Sequence, residues 1–89
     1  MTPTLMWEAR AADGRRDELL AHVREQAAVA LAGAERHELF VADGGRVVVI
    51  AVGVPAGTTL PEPPGELLAR PPHSWGFDRV GPSPVLSRS

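Results

Sequence analysis

Residues 46–54 read Arg-Val-Val-Val-Ile-Ala-Val-Gly-Val, a run in which both alternating sets of side chains are apolar. A strand points successive side chains to opposite faces, so this run predicts a strand that must be covered on two sides. Upstream, residues 36–42 alternate, with His37, Leu39 and Val41 on one face and Glu38, Phe40 and Ala42 on the other. Asp43-Gly44-Gly45 between the two runs predicts a hairpin turn and hence antiparallel pairing. Residues 5–11 alternate as well, Leu5, Trp7, Ala9 and Ala11 against Met6, Glu8 and Arg10, which is the pattern of a half-buried strand. From 15 to 32 the period changes. Leu19, Leu20, Val23, Ala27, Ala30 and Leu31 form one helical stripe, with Asp13-Gly14 as turn and capping carboxylate, Asp17 and Glu18 in the first turn, and Gly33 placed to end the helix.

Six of the nine prolines (55, 61, 63, 64, 71 and 72) fall in residues 55–72, which excludes a long helix there. Only residues 64–70 suit a helical turn or two, with Pro64 near the start where proline is tolerated. Residues 73–80 predict a last strand, His73, Trp75, Phe77 and Arg79 on one face and Ser74, Gly76, Asp78 and Val80 on the other. The order strand, helix, strand, strand, short helix, strand is that of a ferredoxin-like α+β fold, βαββαβ, whose four-stranded antiparallel sheet has strands one and three at its centre. The most apolar strand is third in sequence, as a central strand should be. Residues 1–80 are expected to form this one domain, with 81–89 a mobile tail unless Val85 and Leu86 dock on the body.

One long helix covers one face of such a sheet, so the second face calls for another copy of the chain and the sequence predicts a homodimer. An 89-residue chain without cysteine buries only about two-thirds of its unfolded surface, and association supplies the burial it lacks. The net charge is −2 and nine arginines supply all the positive charge; with no lysine, tyrosine or asparagine, the composition reads as that of a GC-rich genome. Scattered arginines on a mildly acidic chain exclude a nucleic-acid partner, which needs a clustered basic surface. No stretch has the roughly 20 apolar residues of a membrane span. The N-terminus lacks a secretion signal, so a cytoplasmic location is expected.

Trp7-Glu8-Ala9-Arg10-Ala11-Ala12-Asp13-Gly14-Arg15-Arg16-Asp17-Glu18-Leu19 resembles the opening of the antibiotic-biosynthesis-monooxygenase-like family, with its first strand, glycine turn and charged helix start. The hairpin over 40–54 is similar to that family's second and third strands. The resemblance covers about the first 54 residues, and its motif is one of low specificity. It implies a dimeric α+β barrel in which two open sheet faces pack together, with a ligand pocket in each subunit between sheet and helices. Here the second helix is shortened by the prolines of 55–72. Trp7 stands where haem-degrading members carry an asparagine, and an indole there fills space that haem needs. The implied function is binding of a small apolar or aromatic molecule, with cofactor-independent oxidation or isomerisation if there is catalysis; no cofactor is expected.

Trp7, Trp75 and Phe77 are candidate ligand-binding residues, and they form one aromatic wall if the strand faces match. Packing of a core under the shortened helical layer is the other use of such rings. His73 and Arg10 are candidate catalytic groups, His73 as a general base at the pocket mouth. Glu8 and Arg10 fall on the face turned to the partner subunit, where charges need partners; Glu38, Asp78 and Arg79 are the candidates. His22, His37 and His73 lack metal-ligand spacing, so no metal site is expected. There is no phosphate loop and no nucleophile elbow. The competing functional class is a noncatalytic dimeric module that engages another protein through the proline-rich 55–72 segment or the tail.

Overall fold

The computed structural model describes residues 2–80. The elements are β1 (Thr2–Arg10), α1 (Arg16–Ala30), β2 (Arg36–Ala42), β3 (Arg46–Val52), a 3-10 turn η1 (Gly65–Leu67) and β4 (His73–Arg79). They make a small α+β domain with one helix and one four-stranded antiparallel sheet in the order β2-β3-β1-β4. The expected tail, 81–89, lies outside the described residues.

Strands β1 and β3 are central, and their register sets which side chain faces which way. Trp7 lies opposite Val49, Leu5 opposite Ala51 and Ala9 opposite Val47. These small and β-branched residues form the face that receives the helix. The α1 stripe delivers Leu19, Val23 and Ala27 onto them, followed by Leu31, and all are buried in one core cluster. Trp7 is the largest fully buried side chain, at 2% exposure.

A second helix is replaced by loop. Val54, Leu60 and Leu67 from the proline-rich segment are buried in the same cluster, so 53–68 covers the core by pinning single apolar side chains. Backbone bonds hold it: Gly53 N donates to Pro3 O (2.8 Å), Ala12 N to Leu67 O (2.9 Å) and Ala69 N to Arg10 O (2.8 Å).

Several boundaries differ from the sequence pattern for local reasons. β1 starts at Thr2 because β4 pairs with it from the first residue, Thr2 opposite Arg79. β3 stops at Val52 because Gly53 takes φ +75°, a left-handed conformation that breaks the strand. Asp13 does not cap the helix. The N-cap is Arg15, without a side-chain cap bond, and Arg15 instead reaches forward to Glu18, Nε to Oε1 at 2.5 Å. The helix ends at Ala30, short of Gly33, with the Leu31 N–H closing on Ala27 O.

Candidate functional site

The sheet face away from α1 has no covering element among the described residues. Along β1 it carries Thr4, Met6, Glu8 and Arg10, and pairing fixes their neighbours. Met6 lies between Ile50 and Trp75, Thr4 between Val52 and Phe77, and Glu8 between Val48 and His73. Phe40 extends the row through Val48. Phe40, Trp75 and Phe77 are 45%, 44% and 53% exposed, so three of the chain's four aromatic rings stand half-open on one surface. The His73 ring stacks on Trp75, with centroids 6.0 Å apart and planes 21° from parallel.

Among the sequence-derived candidates, His73, Arg10, Trp75 and Phe77 therefore share the open face. Trp7 does not. Its partner on β4 is Ser74, and its indole is buried on the helix side. The expected patch of Trp7, Trp75 and Phe77 is not formed, because the β1–β4 register puts Met6 beside Trp75. Phe40 shares the face with the two exposed rings but sits on the opposite edge strand, with β3 and β1 between.

The face also holds Glu8, the one buried charged residue among those described, at 7% exposure. Arg46 Nε donates to Glu8 Oε2 at 2.6 Å and Arg70 Nη2 to Glu8 Oε1 at 3.0 Å. The partners expected from sequence, Glu38, Asp78 and Arg79, are not the ones used. Arg46 reaches Glu8 diagonally along the sheet. Arg70 comes from the segment whose bridge, Ala11 to Leu68, continues the line of β4 beside β1. That pairing across 62 positions of sequence had no signal in the strand patterns. Arg10 Nε donates to the carbonyl of Gly44 at 3.1 Å.

Burial pushes the Glu8 carboxyl up, and the hydrogen bonds and charges of Arg46 and Arg70 more than reverse this, holding it below its ordinary value of 4.5. A carboxyl whose folded pKa is depressed adds stability above its unfolded pKa and loses it as pH falls through the folded value. The protein is thus expected to weaken as pH drops below about 4.5. Glu8→Gln should flatten that acid limb and cost about 1–3 kcal/mol at pH 7, read by urea unfolding across the pH range. An acid limb unchanged in the variant would assign the acid sensitivity to other carboxylates.

An open groove of about 300 Å³ lies at one end of the β1–β4 pair, where side chains of both sheet faces, Leu5, Gly76, Phe77 and Asp78 among them, meet Val54 and Pro55 of the loop. Of the sequence-derived candidates, only Phe77 lines it. The described residues contain no cluster of three or more metal-ligating side chains, and no helix in them is long and apolar enough to cross a membrane. Compared with known protein families, curated proteins and solved structures, the chain matches none.

Proposed function

We propose that this chain is a ferredoxin-like subunit of the antibiotic-biosynthesis-monooxygenase-like type. It works as a homodimer, packed open sheet face to open sheet face, that encloses a small apolar or aromatic molecule between the two sheets. The observation that carries the reading is the uncovered sheet face itself, with Trp75 and Phe77 half-exposed on one edge strand, Phe40 half-exposed on the other, and Met6 and Ile50 between them. A contiguous apolar surface of this kind on a chain with so small a core is the mark of an interface. A twofold contact uses the same patch on both subunits, which suits a face with Met6 and Ile50 at its centre, flanked by Glu38 on the β2 edge and by Glu8 one row along. The strand order β2-β3-β1-β4 agrees with the ferredoxin-like plan.

In this reading the ligand lies against Trp75 and Phe77, with His73 and Arg10 as the polar groups beside it. The helix side offers less room, since the Trp7 indole occupies the space between sheet and helix. Cofactor-independent oxidation or isomerisation is the chemistry that the family resemblance implies, for a pocket that the resemblance itself places between sheet and helices of each subunit.

A noncatalytic dimeric module is the second reading, favoured by that same filled interior. Native mass spectrometry of the freshly purified protein separates the two. A dimer carrying an extra small mass is the expected result, whereas a bare dimer selects the noncatalytic module and a monomer contradicts both.

A further inference from the structure

Two guanidinium groups, those of Arg46 and Arg70, hold a single carboxylate at one end of the open face. Glu8 accepts one hydrogen bond from Arg46 and one from Arg70, whose side chains stay 44% and 41% exposed. A guanidinium has five N–H donors, and among the described residues neither group has a second hydrogen-bonded acceptor. Arg10 stands directly across from Arg46, a like-charge pair that disfavours the sheet unless an anion lies nearby. Two guanidiniums against one carboxylate leave the cluster itself with a charge of +1, although the whole chain carries a net charge of −2. One carboxylate needs only one guanidinium. Here it serves as a fixed post that holds two of them side by side, with their remaining donors open to the face.

The apolar floor begins one row away. Glu8, Val48 and His73 form one row across the sheet, and Met6, Ile50 and Trp75 form the next on the same face. Two residues along a strand span about 7 Å, the distance from the carboxylate of a small aromatic acid to the far edge of its rings. Charge at one end and an aromatic wall one row on define an amphiphilic ligand.

We propose that the Arg46–Glu8–Arg70 cluster binds the carboxylate of a small aromatic acid whose ring lies on Met6 and Trp75. This deepens the ligand reading above and rests on it. Charge-assisted bonds to two held guanidiniums give the acid a preference over its neutral analogue that a purely apolar chamber lacks.

The test compares 2-naphthoate with 2-naphthamide, titrated into the intact protein while the indole N–H resonance of Trp75 is followed, with buried Trp7 as internal reference. The expected result is that naphthoate shifts Trp75 and binds at least about tenfold more tightly than the amide. Arg70→Gln, which leaves the Arg46–Glu8 pair in place, should bring naphthoate to the amide's affinity without changing the amide's own. Equal binding of both compounds at Trp75 in the unmodified protein would overturn the anion site and leave the small-molecule reading standing. If neither compound perturbs Trp75, both fall together.

Discussion

Trp7→Ala is expected to lose about 3–5 kcal/mol of unfolding free energy, the largest cost of any single truncation in this chain. The indole is 2% exposed and is the largest of the fully buried side chains. Its neighbours offer little to refill the space. Across β3 it faces Val49, and along its own strand the same face continues in Leu5 and Ala9. A sheet held by backbone ladders cannot collapse into the hole, so the cavity term is added to the lost transfer energy. At roughly 0.05–0.15 kcal/mol per residue, a chain of 89 residues has only about 4–13 kcal/mol in total, so the loss is about a quarter of the whole or more. Urea unfolding followed by circular dichroism reads the change. A loss under about 1 kcal/mol would mean that the indole does not fill the space between sheet and helix.

The second large effect is on assembly. In the proposed dimer, Ile50→Glu is expected to leave monomer at micromolar concentration. Ile50 is half-buried within its own subunit and sits beside Met6 near the middle of the open face. Twofold symmetry brings in two such carboxylates, and neither has a partner across an apolar contact. At about 1–3 kcal/mol for each desolvated, unpaired polar group, the dissociation constant should rise by roughly a hundredfold or more. Val29→Glu is the control. Val29 is 78% exposed on the helix, away from the sheet, so that variant should keep the parent's mass. The opposite pattern in sedimentation equilibrium, Ile50→Glu dimeric and Val29→Glu monomeric, would put the interface on the helix side.

The hairpin from Arg36 to Val52 was legible in its two strands and its turn, since alternation on both sides of Asp43-Gly44-Gly45 implies antiparallel pairing; its register is set in the structure, Ala42 opposite Arg46. The helix stripe from Leu19 to Leu31 was equally plain, because its period suits nothing else. The central place of β3 followed from its two apolar faces. Its inner set, Val47, Val49 and Ala51, is fully buried under the helix, and its outer set is the open face.

What remained hidden was the register of β1 against β4. The 20 residues from Gly53 to Pro72 contain no tight turn that links the two strands in register, and a slip of one residue exchanges every side chain between faces. Hence the grouping of Trp7 with Trp75 and Phe77 failed, although Trp75, Phe77, His73 and Arg10 do share a surface. The partners of Glu8 were hidden for the same reason. Arg70 reaches Glu8 because the Ala69 N–H donates to Arg10 O and Leu67 O accepts from Ala12 just beyond β1, and no periodicity in the sequence announces bonds made by a proline-rich loop.

The central claim is that two open sheet faces pack together, and an isotope-filtered NOE experiment on a mixed dimer tests it most directly. One protomer carries labelled methyl groups and its partner is unlabelled. Ile50 is the only isoleucine in the chain, so its δ1 methyl is an unambiguous probe at the middle of the face. The account predicts intersubunit contacts from that methyl to aromatic protons of the partner's Phe40, Trp75 or Phe77. A dimer in which the Ile50 methyl shows no contact to the partner, or a protein with no dimer to label, would contradict it.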